Sequence, residues 1–183
     1  IRVNWYLEET GTKHSDGSIA KVTNIIFMGM GEPLNNLEQV HRVCCTLHHQ
    51  KLFNLGRKRM TISTSGVVPK IKELVDRNTP CCLAVSLNST NDERRSAVMP
   101  VNKVWNIAKL LEATDEYTKR TGNYVTFEFV LMKGITCSEE AAKELIRICA
   151  PRRCKVNAIV LNDGDDPTLE APSLEEIDHF LEI

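Results

Sequence analysis

The chain has 183 residues, 42% of them hydrophobic and 26% charged, with a formal net charge of -1. This is globular composition, enough for one domain with a core, and the near-neutral charge excludes a whole-molecule pull on nucleic acid. With no apolar run long enough to span a membrane and no basic-then-apolar leader, the reading is a cytoplasmic protein, with a eukaryotic organelle as the alternative.

Arg2 to Glu9 reads as the tail of a helix, and Thr10 to Ser18 as a polar loop. Val22 to Met28 is an apolar, β-branched run ending at Gly29, the pattern of a buried strand. Leu37, Val40, Cys44 and Leu47 then recur at helical spacing. Arg59 to Thr64 is a second strand, closed by Ser65-Gly66, and Val68 to Val75 a short helix with Pro69 in its first turn. Cys81 to Leu87 is a third strand. A polar loop follows, and Ile107, Leu110, Leu111 and Thr114 mark the next helix. Tyr124 to Met132 is a fourth strand. Ser138 is placed as an N-cap, with Glu139 and Glu140 in the first turn where the helix dipole favours acids. Lys155 to Leu161 is a fifth strand, and Ser173 with Glu176 forms a capping box for a last helix.

Five strands alternating with helices imply a parallel sheet with right-handed crossovers, either doubly wound or part of a barrel. The whole of 1–183 is read as a single partial barrel domain. Residues 1–21 are the tail of a first βα unit whose strand is missing, and 22–183 supply five βα units.

Seven cysteines occur, two pairs of them adjacent and none in a CxxC spacing. That argues against a disulfide framework and against a zinc finger, so they are read as structural thiols and the chain is given no metal ligand. Ligands of α/β folds bind at the carboxyl ends of the strands. Read in order, those ends offer Gly29 to Pro33, Ser63 to Gly66, Ser86 to Ser89, Lys133-Gly134, and Asn162 to Asp166. Glycines, hydroxyls, amides and one carboxylate thus collect on one rim and suit a polar, zwitterionic ligand. Glu32 would receive an ammonium, and Ser63, Ser86, Asn88 and Asn162 would bond carboxylate or ribose oxygens. Phosphate-loop and nicotinamide fingerprints are absent.

GMGEP after a strand, then TISTSGVVP, AVSLN and MPVNK, resembles the radical S-adenosylmethionine (SAM) RNA adenine methyltransferases of the RlmN and Cfr type. The likeness runs from about Val22 to Asn162. It implies a partial (βα)6 TIM-like barrel and binding of SAM. Residue by residue it implies cofactor contacts at Gly31, Glu32, Ser63, Ser86, Leu87, Asn88 and Asn162. Asn88 stands where the family usually has histidine, which keeps a donor and an acceptor but loses the titratable ring. The acids of Asp163 to Asp166 depart from the family pattern and put RNA contact at that loop in doubt.

The resemblance further implies methylation of adenine at carbon 2 or carbon 8 in ribosomal RNA, and for RlmN types in some transfer RNAs, by a monomer with no membrane partner; carbon 2, the RlmN position, is the reading taken. In that reaction a cysteine is methylated first, and a radical made from a second SAM then activates the methylthio group. The loop CxxxCxxC, which holds a 4Fe-4S cluster in the family, has no match here. Neither has the upstream acid nor the C-terminal methyl-carrying cysteine. The chain is therefore expected to be an inactive fragment carrying no catalytic residue of its own. Arg94, Arg95 and Lys103, in the loop after the third strand, are the candidates for RNA phosphate contacts. The competing readings are another radical-SAM enzyme and a degenerate barrel that binds SAM or a protein without catalysis.

Overall fold

The computed structural model describes residues 2–162 and 168–183. Its five strands are β1 (Ile25–Phe27), β2 (Met60–Thr64), β3 (Cys82–Ser86), β4 (Val125–Leu131) and β5 (Cys154–Val160). All neighbours are parallel, and the order in the sheet is the order in the chain. A doubly wound sheet reverses its strand order at a switch point, and this one does not. Right-handed crossovers then set successive helices on the same face, which is the winding of a barrel. Of the two parallel architectures the pattern allowed, the chain takes the open partial barrel.

Seven helices accompany the strands among the described residues. They are α1 (Arg2–Glu9), α2 (Leu37–His48), α3 (Val68–Asp76), α4 (Asp92–Val98), α5 (Ile107–Thr121), α6 (Glu139–Cys149) and α7 (Leu174–Glu182). Their ends follow local chemistry. The Asn106 side chain accepts from Lys109 N to start α5, and Gly122 at φ 70° ends it. Ser138 caps α6, and Ser173 with Glu176 forms the reciprocal capping box of α7.

The core lies between the helices and one face of the sheet. Along β4, Val125, Phe127, Phe129 and Leu131 are buried while Thr126, Glu128 and Val130 are half-buried. The buried set joins Ile62 of β2, Leu83 and Val85 of β3, Ile71 and Leu74 of α3 and Leu110 and Tyr117 of α5 in one cluster. Each such side chain contributes about 1.5–3 kcal/mol by leaving water. The alternate residues of the strands face the concave side. There the registers set Ser86 beside Glu128, and Glu128 beside Asn157.

Two elements differ from the sequence reading. β1 has three residues rather than the run from Val22 to Met28. Among the described residues it is an edge strand that pairs only with β2, and the chain before it is tied elsewhere. Val22 N donates to Asn4 Oδ1 at 2.8 Å, and the Arg59 guanidinium takes Thr23 O and the Asn24 side chain. Ile26 and Met28 are correspondingly exposed. The stretch expected as a polar loop after β3 contains α4, capped by Asn91, whose side chain accepts from Glu93 N and Arg94 N. No apolar periodicity announced it, because the one buried residue of α4 is Arg95. The acidic loop expected at 163–166 lies outside the described residues.

Candidate functional site

At the carboxyl ends of β1, β2 and β3 lies a cleft of about 450 Å³. Gly29 and Gly31 have φ of 136° and 100°, which side-chain-bearing residues rarely adopt, and they fold the chain sharply over the end of β1. That turn brings Glu32 back as the cap of a short 3-10 turn, Pro33–Asn36. One carboxylate oxygen of Glu32 accepts from Leu34 N at 3.0 Å. The other accepts from Ser65 N at 2.8 Å and from Ser65 Oγ at 2.7 Å. Glu32 therefore ties the end of β1 to the end of β2.

Gly31, Glu32, Ser63 and Ser86, all expected at the ligand, line this cleft together with Thr64, Ser65 and Glu128. The other three expected contacts do not line it. The Leu87 side chain is fully buried in the hydrophobic core, and only its main chain faces the rim, donating to Glu128 O at 2.9 Å. Asn88 sits at φ 53° with Nδ2 on Met99 Sδ, and its Oδ1 is buried without a hydrogen-bond partner among the described residues. Asn162 is exposed past the end of β5.

Arg95 is a correction. Expected on RNA phosphates, it is fully buried, the one charged residue so enclosed among the described residues. Its guanidinium donates to Leu87 O (2.9 Å), Ser86 O (2.9 Å), Ser65 O (2.8 Å) and Asn102 Oδ1 (2.9 Å). With its donors pointing at protein carbonyls, it has no path to a phosphate. Burial lowers its pKa to about 10, against the pull of nearby Asp92, so it remains a cation at neutral pH. Arg94 and Lys103 are exposed, Arg94 reaching Ile135 O at 3.4 Å.

Glu128 was missed. Its signal was a single acid inside the strand-forming run VTFEFVL, at a position that alternation assigns to the concave face. Burial raises its pKa, and a hydrogen bond from Asn157 partly opposes that. Ser65, within TISTSGVVP, has no signal in the sequence that separates it from ordinary turn chemistry.

A zwitterionic nucleoside such as SAM fits this donor set: three serine hydroxyls, two carboxylates and main-chain groups freed by glycine turns around a cleft of suitable volume. An iron–sulfur cluster does not fit the residues present. All seven cysteines are free thiols, and no three His, Cys, Asp or Glu side chains among the described residues are placed to hold a metal. Burial pushes the Cys44 thiol up to about 11 and that of Cys149 up to about 12, away from the thiolate a metal needs.

The sequence profile of the Radical SAM superfamily matches residues 17–147. The chain belongs to the radical SAM superfamily. Within it, the chain is 44% identical over 160 residues to the dual-specificity RNA methyltransferase RlmN of Bdellovibrio bacteriovorus, covering 87% of this chain and 40% of that protein. A probable RlmN of Dictyoglomus turgidum is 40% identical over 163 residues, covering 89% of this chain and 47% of that protein. A crystal structure of a radical SAM methyltransferase from Sphaerobacter thermophilus superposes with a TM-score of 0.87 at 38% identity, over 99% of this chain and 51% of that one. The chain thus spans about half or less of the length of these radical SAM relatives. No helix among its described residues is long and apolar enough to cross a membrane.

Proposed function

We propose that this chain is the SAM-binding portion of a radical SAM methyltransferase that acts on carbon 2 of adenine in ribosomal RNA, with transfer RNA as a second substrate. The observation that carries the reading is the cleft. Gly31, Glu32, Ser63 and Ser86 converge there at the strand carboxyl ends, in a chain 40–44% identical to proteins bearing the RlmN name.

SAM, when bound and reduced, supplies the radical that makes an unreactive adenine carbon accessible to methylation. The protein's part is binding and orientation. Ser63 and Ser86 offer hydroxyls to carboxylate or ribose oxygens, and main-chain carbonyls of the Gly29 to Glu32 turn offer acceptors to the ammonium. Glu32 spends three of its acceptor directions on Leu34 and Ser65, so its first duty is to fix the turn that presents those carbonyls. Arg94 and Lys103, exposed beyond β3, are the residues proposed to contact RNA phosphates. The cluster ligands and the methyl-carrying cysteine are assigned to polypeptide outside these 183 residues, and the cytoplasm is the proposed location.

The test is anaerobic iron–sulfide reconstitution of this chain beside the longer polypeptide that contains it, with absorbance, deoxyadenosine and 2-methyladenosine measured. Expected are no stoichiometric cluster and no deoxyadenosine from the 183 residues, and both products from the longer form with ribosomal RNA. SAM binding by the longer form without deoxyadenosine would establish the degenerate-barrel reading instead. Methylation at another adenine position would overturn the carbon-2 assignment.

A further inference from the structure

The first three strands of this sheet end in loops that contribute to one cleft, and hydrogen bonds outside the strand ladders join those ends. Glu32 and Ser65 link the ends of β1 and β2. Between β2 and β3 the link is a single side chain. Arg95 places Nη2 on Ser65 O and also on Ser86 O, at 2.8 and 2.9 Å, and Nε on Leu87 O at 2.9 Å. Its fourth acceptor, Asn102 Oδ1, is itself fixed, because Asn102 Nδ2 donates to Asp92 O, Asp92 Oδ1 and Ser96 Oγ. Asp92 Oδ1 in turn accepts from Ile107 N at the start of α5. A planar fork with fixed donor directions suits four divergent acceptors; an ammonium on a flexible stem does not. A buried cation with no carboxylate in ion-pair contact among the described residues is costly, and such a cost persists where the surroundings demand the group.

We infer that Arg95 is the positioning residue of the cofactor cleft: its guanidinium holds the Ser63–Gly66 and Ser86–Asn88 segments at a fixed separation, so that ligand affinity depends on a side chain that never touches the ligand. The inference rests on the SAM-cleft reading. Ser65 lies at the centre, since its carbonyl receives Arg95 while its N–H and hydroxyl hold Glu32. Space around the fork is closed, because a Cβ added at Gly66 would lie 3.3 Å from Arg95 Nη2 and 3.1 Å from Leu110 Cδ1.

The test uses Arg95→Met, Arg95→Lys and Asn102→Ala in the full chain. S-adenosylhomocysteine affinity is measured by calorimetry, and amide hydrogen exchange by mass spectrometry. The expected result for folded Arg95→Met is at least tenfold weaker binding, with faster exchange confined to 63–66 and 86–89 and unchanged exchange in β4. Arg95→Lys, which keeps the charge but not the fork, should fail to restore either quantity. A purely structural role would instead loosen the core generally and be rescued in part by lysine. Should Arg95→Met not fold, Asn102→Ala carries the test, with about threefold weaker binding expected. Wild-type affinity and protection in a folded Arg95 variant, or in Asn102→Ala, would overturn the inference. If the wild-type chain binds no S-adenosylhomocysteine at millimolar concentration, the cofactor reading falls. The exchange pattern then still decides whether Arg95 clamps the two segments.

Discussion

Replacing Glu32 by glutamine tests whether the two ends of the cleft are joined as described. The carboxylate accepts three hydrogen bonds, one from Leu34 N and two from Ser65. An amide has one carbonyl oxygen. Turned toward Ser65, it leaves its NH2 facing the Leu34 N–H, donor against donor; turned the other way, it abandons Ser65 N. Either orientation strands one partly buried donor, at about 1–3 kcal/mol. The bonds that survive lose their charge assistance, roughly another 1 kcal/mol. Glu32→Gln should therefore destabilise the chain by about 2–4 kcal/mol, read by urea denaturation with circular dichroism. In a domain of this size that corresponds to a drop in Tm on the order of 5–15 °C. Ser65→Ala alone removes one hydroxyl bond and should cost about 1–2 kcal/mol. The two substitutions share that bond, so a double-mutant cycle should show coupling of about 1 kcal/mol or more. Additive effects, or a Glu32→Gln cost below about 0.5 kcal/mol, would show that the carboxylate does not hold the two strand ends together.

Three further outcomes are expected. Gly66→Ala puts a Cβ on a residue at φ 109°, 3.1 Å from Leu110 Cδ1, and should cost at least about 1–2 kcal/mol in the same titration. Glu128 has its pKa raised by burial, so the folded state holds that proton more tightly than the unfolded chain. Stability attributable to it is present at acid pH and lost as pH rises above the ordinary value of 4.5. Glu128→Gln should accordingly be more stable than wild type at pH 7, with the gap closing below pH about 4, while S-adenosylhomocysteine binding weakens. A Glu128→Gln chain that loses stability at neutral pH would reverse the sign argument. Tyr117→Phe removes the buried bond from the hydroxyl to Cys81 O at 3.1 Å and should cost about 1–2 kcal/mol by thermal melting.

Much of the architecture was legible in the chain, because its strands are apolar runs and its helices carry caps. β4 forms within the run read as the fourth strand, and Ser138 and Ser173 cap the helices they were assigned. β1 was overread, since pattern alone does not show that an edge strand loses its early residues to side-chain partners. α4 was invisible because its inward face carries an arginine in place of an apolar stripe. The cleft was legible at the carboxyl ends of the first three strands, where Gly31 lies in the turn after β1 and Ser63 and Ser86 lie in the last two residues of β2 and β3. Its lining does not extend to the Leu87 side chain, which only the resemblance had named. Ser86 is the last residue of β3 and Leu87 follows it, so alternation turns the Leu87 side chain into the core. Arg95 shows the same limit in another form. Charge suggested solvent, and only the arrangement of four acceptors in space shows that the guanidinium belongs inside.

The unbroken strand order has a consequence for how the chain reaches its native state. Each strand pairs with the strand that immediately precedes it, across one crossover helix or helix pair. No strand must wait for a distant partner, so loop-closure entropy is met in small instalments, and the topology favours faster acquisition of structure than a sheet of interleaved strands. During synthesis the β1–β2 pair has all its residues before β4 is made, and each later βα unit adds to an edge already present. A nascent barrel of this kind grows by accretion, and every intermediate length offers a docking edge for the next strand.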